Sequence, residues 1–277
     1  MKTIVTHMSP DLDAVTSTWL IKRFLPDWQE ADIVFVPVET TWNGKDPDSD
    51  PDVIHVDTGH GKFDHHGSQE LTSATKLVYN FLNENPYFKK KDALALERIV
   101  DYVTQIDNFR EVNYPNPESD LYDFMPHQLI FGMRPLCAND HELIEKYFVI
   151  LEGMLIVMKN KLSAEKDLKE GFVFRSKWGK SIAFESKNEE SVKLALKHKY
   201  DVAIKKDPSR GFLKIKSFPG PGHDLEELFN ILKNLDKKAH WALQGANHII
   251  INGSSRVPNS VATTLTLAKV IAIMKEM

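Results

Sequence analysis

The chain has 277 residues, 42% of them hydrophobic and 27% charged, with a formal net charge of -4. That length holds one large domain or two ordinary ones, with enough apolar residue for a proper core. The absence of a long basic tract argues against wrapping duplex nucleic acid by charge alone. The single cysteine, Cys137, excludes a disulfide framework or a thiolate metal site within one chain.

In chain order, Met1–Val5 reads as a short buried strand that ends in Thr6-His7-Met8-Ser9-Pro10-Asp11-Leu12-Asp13. An apolar, helix-spaced run follows from Val15 to Phe24. Asp32–Val38 and Asp52–Val56 read as further strands, separated by an Asp-, Pro- and Gly-rich loop. The third strand runs into Asp57-Thr58-Gly59, and then Phe63-Asp64-His65-His66. A helix is expected over Leu77–Leu82 with Ser73 or Thr75 as its start signal. Asp92–Ile106 is strongly amphipathic and delivers Asp107-Asn108 at its end. Leu121–Phe131 reads as irregular, and Glu142–Lys161 as one long helix. Short apolar strands alternating with amphipathic helices predict a mostly parallel α/β sheet.

The charged stretch Ser163–Gly171 carries no apolar stripe, so the domain boundary is placed there, giving domains over 1–162 and 171–277. Strands are expected near 172–174, 181–184, 202–204 and 212–215, with a hairpin turn over Lys205–Gly211. A helix over Asp224–Leu235, a strand over His248–Asn252 and a closing helix over Thr263–Met277 complete a smaller α+β domain. No stretch reaches about 18 uninterrupted apolar residues, so no membrane span is expected. The N-terminus lacks the apolar segment of a signal peptide. The expectation is a soluble, cytoplasmic protein.

Chemistry concentrates where strands stop. His7, Asp11 and Asp13 follow the first strand, Asp57 the third, His65 and His66 a nearby loop, and Asp107 a helix end. Open α/β folds place ligands at the carboxyl edge of the sheet. A mixed nitrogen and oxygen donor set suits Mn, Zn, Fe or Mg. Four carboxylates and two imidazoles suffice for two divalent cations sharing a bridging carboxylate. Without cations, the clustered carboxylates would repel and raise one another's pKa values. Asp11 alone would read as a helix cap. The acidic run from Asp46 to Asp52 lacks the closing Glu of a calcium loop, and His55, His60, His127 and His141 read as structural or surface residues.

The His-x3-Asp-x-Asp turn, Asp57 in Val-Asp-Thr-Gly, the Asp64-His65-His66 triplet and Asp107 together resemble the four motifs of the DHH phosphoesterase superfamily, in order over about residues 1–150. The phrases Val56–Gly59, Phe63–His66, Ser73–Tyr79 and Ile106–Asn108 also look like its RecJ-like and MYG1-like, metal-dependent nuclease branches. The Pro10-Asp11-Leu12-Asp13 turn departs from the first turn of the latter. The resemblance implies a DHH-type N-terminal domain holding two divalent cations, Mn by preference, with Mg, Co or Zn as alternatives. His7, Asp11 and Asp57 would hold one ion; Asp13, Asp57, His65 and Asp107 the other, with Asp57 bridging. His66 would face the substrate, and Asp64 would orient an imidazole. It also implies a cleft between the two domains.

The family's C-terminal Gly-Gly-Gly-His loop is absent. Gly245–His248 and Asn252–Arg256 are the nearest stretches, so Arg210, His248 and Arg256 are the candidate substrate contacts. The implied activity is hydrolysis of a phosphodiester in a short oligonucleotide or nucleotide-like substrate by a metal-bound hydroxide. The alternatives are a manganese-dependent inorganic pyrophosphatase and a catalytically silent metal- or nucleotide-binding module. The implied partner is a phosphorylated small molecule or a short single-stranded nucleic acid, and a homodimer is compatible with the sequence.

Overall fold

A computed structural model describes residues 1–277 apart from Lys89 and Ser255. The chain divides into two compact units, Met1–Lys159 and Asn160–Met277, giving an α/β architecture with a smaller α+β C-terminal part.

In the first unit, strand β1 (Thr3–His7) lies between β2 (Asp32–Val36) and β3 (Val53–His55), parallel to both. All five residues of β1 are buried. A central parallel strand is covered on both faces, which explains an apolar run without alternation. Helix α1 (Leu12–Phe24) is buried at every position from Leu12 to Ile21, so its apolar character runs around the helix instead of along one stripe. Helices α2 (Ala74–Glu84), α3 (Ala93–Asp107), α4 (Pro126–Met133) and α5 (Asp140–Glu170) follow. Trp19, Leu20, Ile21, Leu82, Leu96, Ile99, Leu143 and Tyr147 are among the largest fully buried side chains. Each such residue contributes roughly 1.5–3 kcal/mol of hydrophobic stabilisation.

The second unit is built on six strands: β4 (Phe172–Ser176), β5 (Gly179–Glu185), β6 (Val202–Lys206), β7 (Leu213–Ser217), β8 (Trp241–Gln244) and β9 (Ile249–Asn252), in the order β4-β5-β6-β7-β9-β8. Helices α6 (Glu190–Lys197), α7 (Glu226–Leu235) and α8 (Leu267–Glu276) accompany them. The two-residue strand period sorts side chains to two cores. Ala183, Val202 and Ile204 join Leu228, Leu232, Val270 and Met274 in one; Ile182, Phe184 and Ala203 join Val192 and Ala195 in the other.

The expectation of a mostly parallel sheet needs correcting. The parallel sheet of the first unit stops at three strands. Among the described residues three pairings are parallel and four antiparallel. Parallel pairing of consecutive strands needs a long crossover, which α6 provides between β5 and β6; the other neighbours in the second unit pair antiparallel.

Residues 163–170, where the sequence places the domain boundary, are the last turns of α5, which runs past Lys159 into the second unit. Ala164 is buried, Leu168 packs on the second core, and Asp167 accepts hydrogen bonds from Ser186 and Ser191. Helix α4 lies where an irregular segment was expected; Pro126 opens it, the position proline favours.

Candidate metal centre

The ends of four elements bring the site together. His7 closes β1 and is buried. Its Nδ1 is 2.9 Å from the Met8 carbonyl oxygen. That bond puts a proton on Nδ1, so Nε2, 3.3 Å from Asp57 Oδ2 and 3.9 Å from Asp11 Oδ1, is the nitrogen open to a cation in place of its proton. Asp11 is the N-cap of α1, accepting from the Ala14 amide at 3.0 Å. The cap reading and the ligand reading of Asp11 therefore hold together, because a carboxylate has lone pairs for both.

Asp13 sits within the first turn of α1, not in the preceding loop as the sequence suggested, and is 1% exposed. Its two oxygens accept the amides of Ala74 and Thr75 at the start of α2, at 2.7 and 2.8 Å. Asp13 Oδ2 also lies 3.6 Å from His65 Nε2.

Asp57 follows β3 in the left-handed backbone region, with φ of 56°, a conformation in which Asp is enriched among non-glycine residues. Its amide donates to the Phe63 carbonyl and closes the loop that carries His65. Asp57 stands between two imidazoles: Oδ2 is 3.3 Å from His7 and Oδ1 is 3.4 Å from His65. Asp107, the last residue of α3, places Oδ2 at 3.3 Å from the same His65 nitrogen. Among the described residues the donor atoms form three compact groups: His7, Asp11 and Asp57; Asp13, His65 and Asp107; and Asp57, His65 and His66.

Electrostatics mark the site as short of positive charge. Burial, followed by the charges of Asp57, Asp107 and Asp11, raises Asp13 well above the ordinary carboxylate range. Asp107 is pushed up to about 7, mainly by burial. Burial also opposes ionisation of Asp57, yet the imidazoles of His65 and His7 hold it at about 2. Burial lowers His7, but the Asp57 and Met8 bonds outweigh it and raise it to about 9; His65 reaches about 9 mainly through Asp57.

The residues fit a divalent cation on a direct observation. Asp57 Oδ1 is buried and makes no well-formed hydrogen bond, with His65 Nε2 at 3.4 Å and His66 Nδ1 at 3.9 Å in ion-pair contact only. Native structures rarely leave such an atom unsatisfied, and a cation beside it would supply what is missing.

His66 is held differently. Asp64 accepts its Nδ1 at 2.6 Å and its amide at 3.0 Å, and the His60 amide at 2.7 Å. Burial works against ionisation of Asp64, but these bonds keep it below the usual range. Asp64 thus orients the His66 ring, whose side chain remains 36% exposed. His55 is a structural residue: its Nε2 accepts the Trp42 amide and its Nδ1 meets the Pro47 carbonyl. The acidic run is likewise spent on local turns, with Asp46, Asp50 and Asp48 accepting the amides of Asp48, Asp52 and Lys62.

Sequence reasoning missed the support of the Ser9–Asp11 loop. Arg134 Nη2 donates to the Ser9 and Pro10 carbonyls at 3.0 and 3.1 Å, and Asp140 accepts the Ser9 amide at 2.9 Å. Neither residue lies in a recognisable motif, and their sequence separation from the loop leaves no local signal.

The second unit holds its own cavity of about 950 Å³, at the upper end for small-molecule sites. Arg210 and Arg256 line it, with Lys187, Lys205, Lys214 and Trp241. Gly253 at its wall has φ of 73°, and a Cβ there would fall 2.1 Å from the Phe212 ring. His248 is not among the lining residues. Its Nδ1 meets Ser217 Oγ at 2.9 Å and the His223 carbonyl at 3.2 Å, and Gly245–Asn247 form the positive-φ turn between β8 and β9.

The described side chains define a carboxylate–imidazole site of the kind that holds divalent cations. No protein-family model matches the chain, and no curated protein matches it. Three solved structures similar to it share 12–13% identity. RecJ from Thermus thermophilus, in complex with Mg2+, matches over 94% of this chain and 51% of its own at a TM-score of 0.32. The DHH domain of a member of the s1p family of ribosomal proteins matches over 91% and 82% at 0.31. An exopolyphosphatase-related protein from Bacteroides fragilis matches over 99% and 90% at 0.28. The chemistry argued for this chain rests on its own side chains.

Proposed function

We propose that the chain is a divalent-cation-dependent phosphoesterase that hydrolyses a phosphodiester in a short oligonucleotide or nucleotide-like substrate. The observation that carries this reading is Asp57, buried between two imidazoles with one oxygen lacking a well-formed hydrogen bond. His7, Asp11 and Asp57 would hold one cation, and Asp13, Asp57, His65 and Asp107 the other, with manganese the preferred ion. Bound there, the cations would supply Lewis-acid activation and neutralise charge at a phosphoryl group.

The rest of the work belongs to the chain itself. Asp64 fixes the His66 ring through Nδ1, so the opposite nitrogen is presented outward as a proton donor to a leaving or phosphoryl oxygen. Residues 1–162 form the catalytic domain, and 171–277 bind substrate, with Arg210 and Arg256 in the cavity gripping phosphates.

The test is a manganese titration followed by turnover of short RNA, cyclic dinucleotides and pyrophosphate. Two bound ions with cleavage of the phosphodiester substrates supports the proposal. Release of phosphate from pyrophosphate alone refutes the substrate assignment, and a loaded protein that cleaves none refutes the activity.

A further inference from the structure

The cavity of the second unit is strongly cationic, with five basic side chains against two carboxylates. Lys187, Lys205, Arg210, Lys214 and Arg256 face Glu189 and Asp207 across its walls. Asp207 is committed to its own turn, accepting the amides of Ser209 and Arg210 and the Ser209 hydroxyl. Glu189 is not so committed. Its Oε1 accepts from Lys205 Nζ and its Oε2 from Lys214 Nζ, one oxygen on each ammonium.

The burial of this trio is uneven. The Lys205 side chain is 4% exposed, that of Lys214 24% and that of Glu189 63%. A buried ammonium needs an anion beside it, whereas a largely exposed carboxylate swings away at little cost. Two oxygens of one phosphoryl group can meet the same two ammonium groups in the same way.

We propose that Glu189 is a built-in competitor for a phosphate ligand: its carboxylate occupies Lys205 and Lys214 in the ligand-free protein, so a terminal phosphomonoester displaces it, whereas an internal phosphodiester, no more charged than the carboxylate, gains little by the exchange. The reason is charge. A phosphodiester carries one negative charge, the same as the carboxylate it must displace. A terminal phosphate carries about -1.5 to -2 at neutral pH, so the exchange favours it. The cavity therefore takes the phosphorylated end of a nucleotide or short strand, with Trp241 on its wall. This rests on reading the cavity as a phosphate site.

The test uses the full chain in excess chelator, so that binding is measured apart from cation chemistry. Adenosine 5′-monophosphate and its methyl ester differ only in the charge and cap of the phosphate, and both are titrated calorimetrically. The wild type is expected to bind the monophosphate at least about tenfold more tightly, equivalent to about 1.4 kcal/mol. Glu189→Gln removes the competitor for both ligands and should tighten each by about tenfold, leaving the ratio as in the wild type. Glu189→Asp keeps the charge but is too short to span both lysines and should fall between in its affinity for both, which covers the case in which Glu189→Gln unfolds. Unchanged affinities in the variants, no preference in the wild type, or no binding of either ligand overturns the proposal. Hydrolysis is assayed separately on manganese-loaded protein, so a missing activity and a missing selectivity are told apart.

Discussion

Replacing Asp57 by Asn is the sharpest probe of the shared carboxylate. Asp57 Oδ2 faces His7 and Oδ1 faces His65, so under the proposed assignment the substitution would strip one donor from each of two ion sites, whereas Asp11→Asn would strip one from a single site. If losing a direct donor weakens a site by about 100-fold, the linkage loss is about 2.7 kcal/mol per site at saturating metal. Asp57→Asn should therefore forfeit about 5 kcal/mol of manganese-dependent stabilisation, and Asp11→Asn about half that. For a unit of this size, each kcal/mol moves the melting temperature by about 2–4 °C. The manganese-induced rise in melting temperature should fall by about 10–20 °C in the first variant and by about 5–10 °C in the second. Differential scanning fluorimetry with and without manganese, paired with metal analysis of the gel-filtered proteins, measures both. Equal losses in the two variants, or two retained ions in Asp57→Asn, would refute the bridge.

Other consequences follow from the same coordinates. His66→Ala should lower kcat by about 10²- to 10⁴-fold while manganese binding, read by calorimetry, stays at wild-type strength. Asp64→Ala removes the acceptor that fixes the His66 ring and should cost about 10- to 100-fold in kcat; a larger drop in metal affinity than in kcat would speak against an orienting role. Asp236 Oδ2 accepts the Thr264 amide and the hydroxyls of Thr263 and Thr264, so Asp236→Ala should destabilise the second unit by about 2 kcal/mol in urea melts. The Thr264 amide leads the bonds that hold this carboxyl below its ordinary value. Its contribution is thus present above the unfolded value of about 3.9 and is lost as pH falls through the folded one. An acid titration followed by tryptophan fluorescence should show that dependence in the wild type and not in Asp236→Ala. Gly253→Ala should cost more than about 1 kcal/mol, because the new Cβ meets the Phe212 ring at 2.1 Å with φ at 73°; an unchanged melting temperature counts against that packing.

The strand-end donors could be read from the chain because each follows a short apolar run, and strands deliver their last residue to one edge. His7 and Asp57 were readable on that ground, and Asp107 because it ends a strongly amphipathic helix. The second duty of Asp13 was not. Its bonds to the amides of Ala74 and Thr75 join positions some sixty residues apart, and no local pattern records such a meeting. Strand β8 escaped notice because Trp-Ala-Leu-Gln lacks a clear polar alternation, and its pairing with β9 comes from the turn at Gly245–Asn247. The helical end of α5 over residues 163–170 left little trace in the sequence because its apolar contacts, Ala164 and Leu168, are sparse among charges. The Glu189–Lys205–Lys214 group draws on an α6 flank and two strands, so only the fold brings it together.

Asp13 has a bearing on how this sequence can drift over generations. One carboxylate faces the cation site and also seats the first amides of α2, so two independent pressures guard it. A descendant that abandoned chemistry would be free to change the half-exposed His66 early, yet would still keep an acid at position 13 to stay folded. Survival of that aspartate in a diverged copy is thus poor testimony of an active enzyme, and the imidazole at 66 is the better witness.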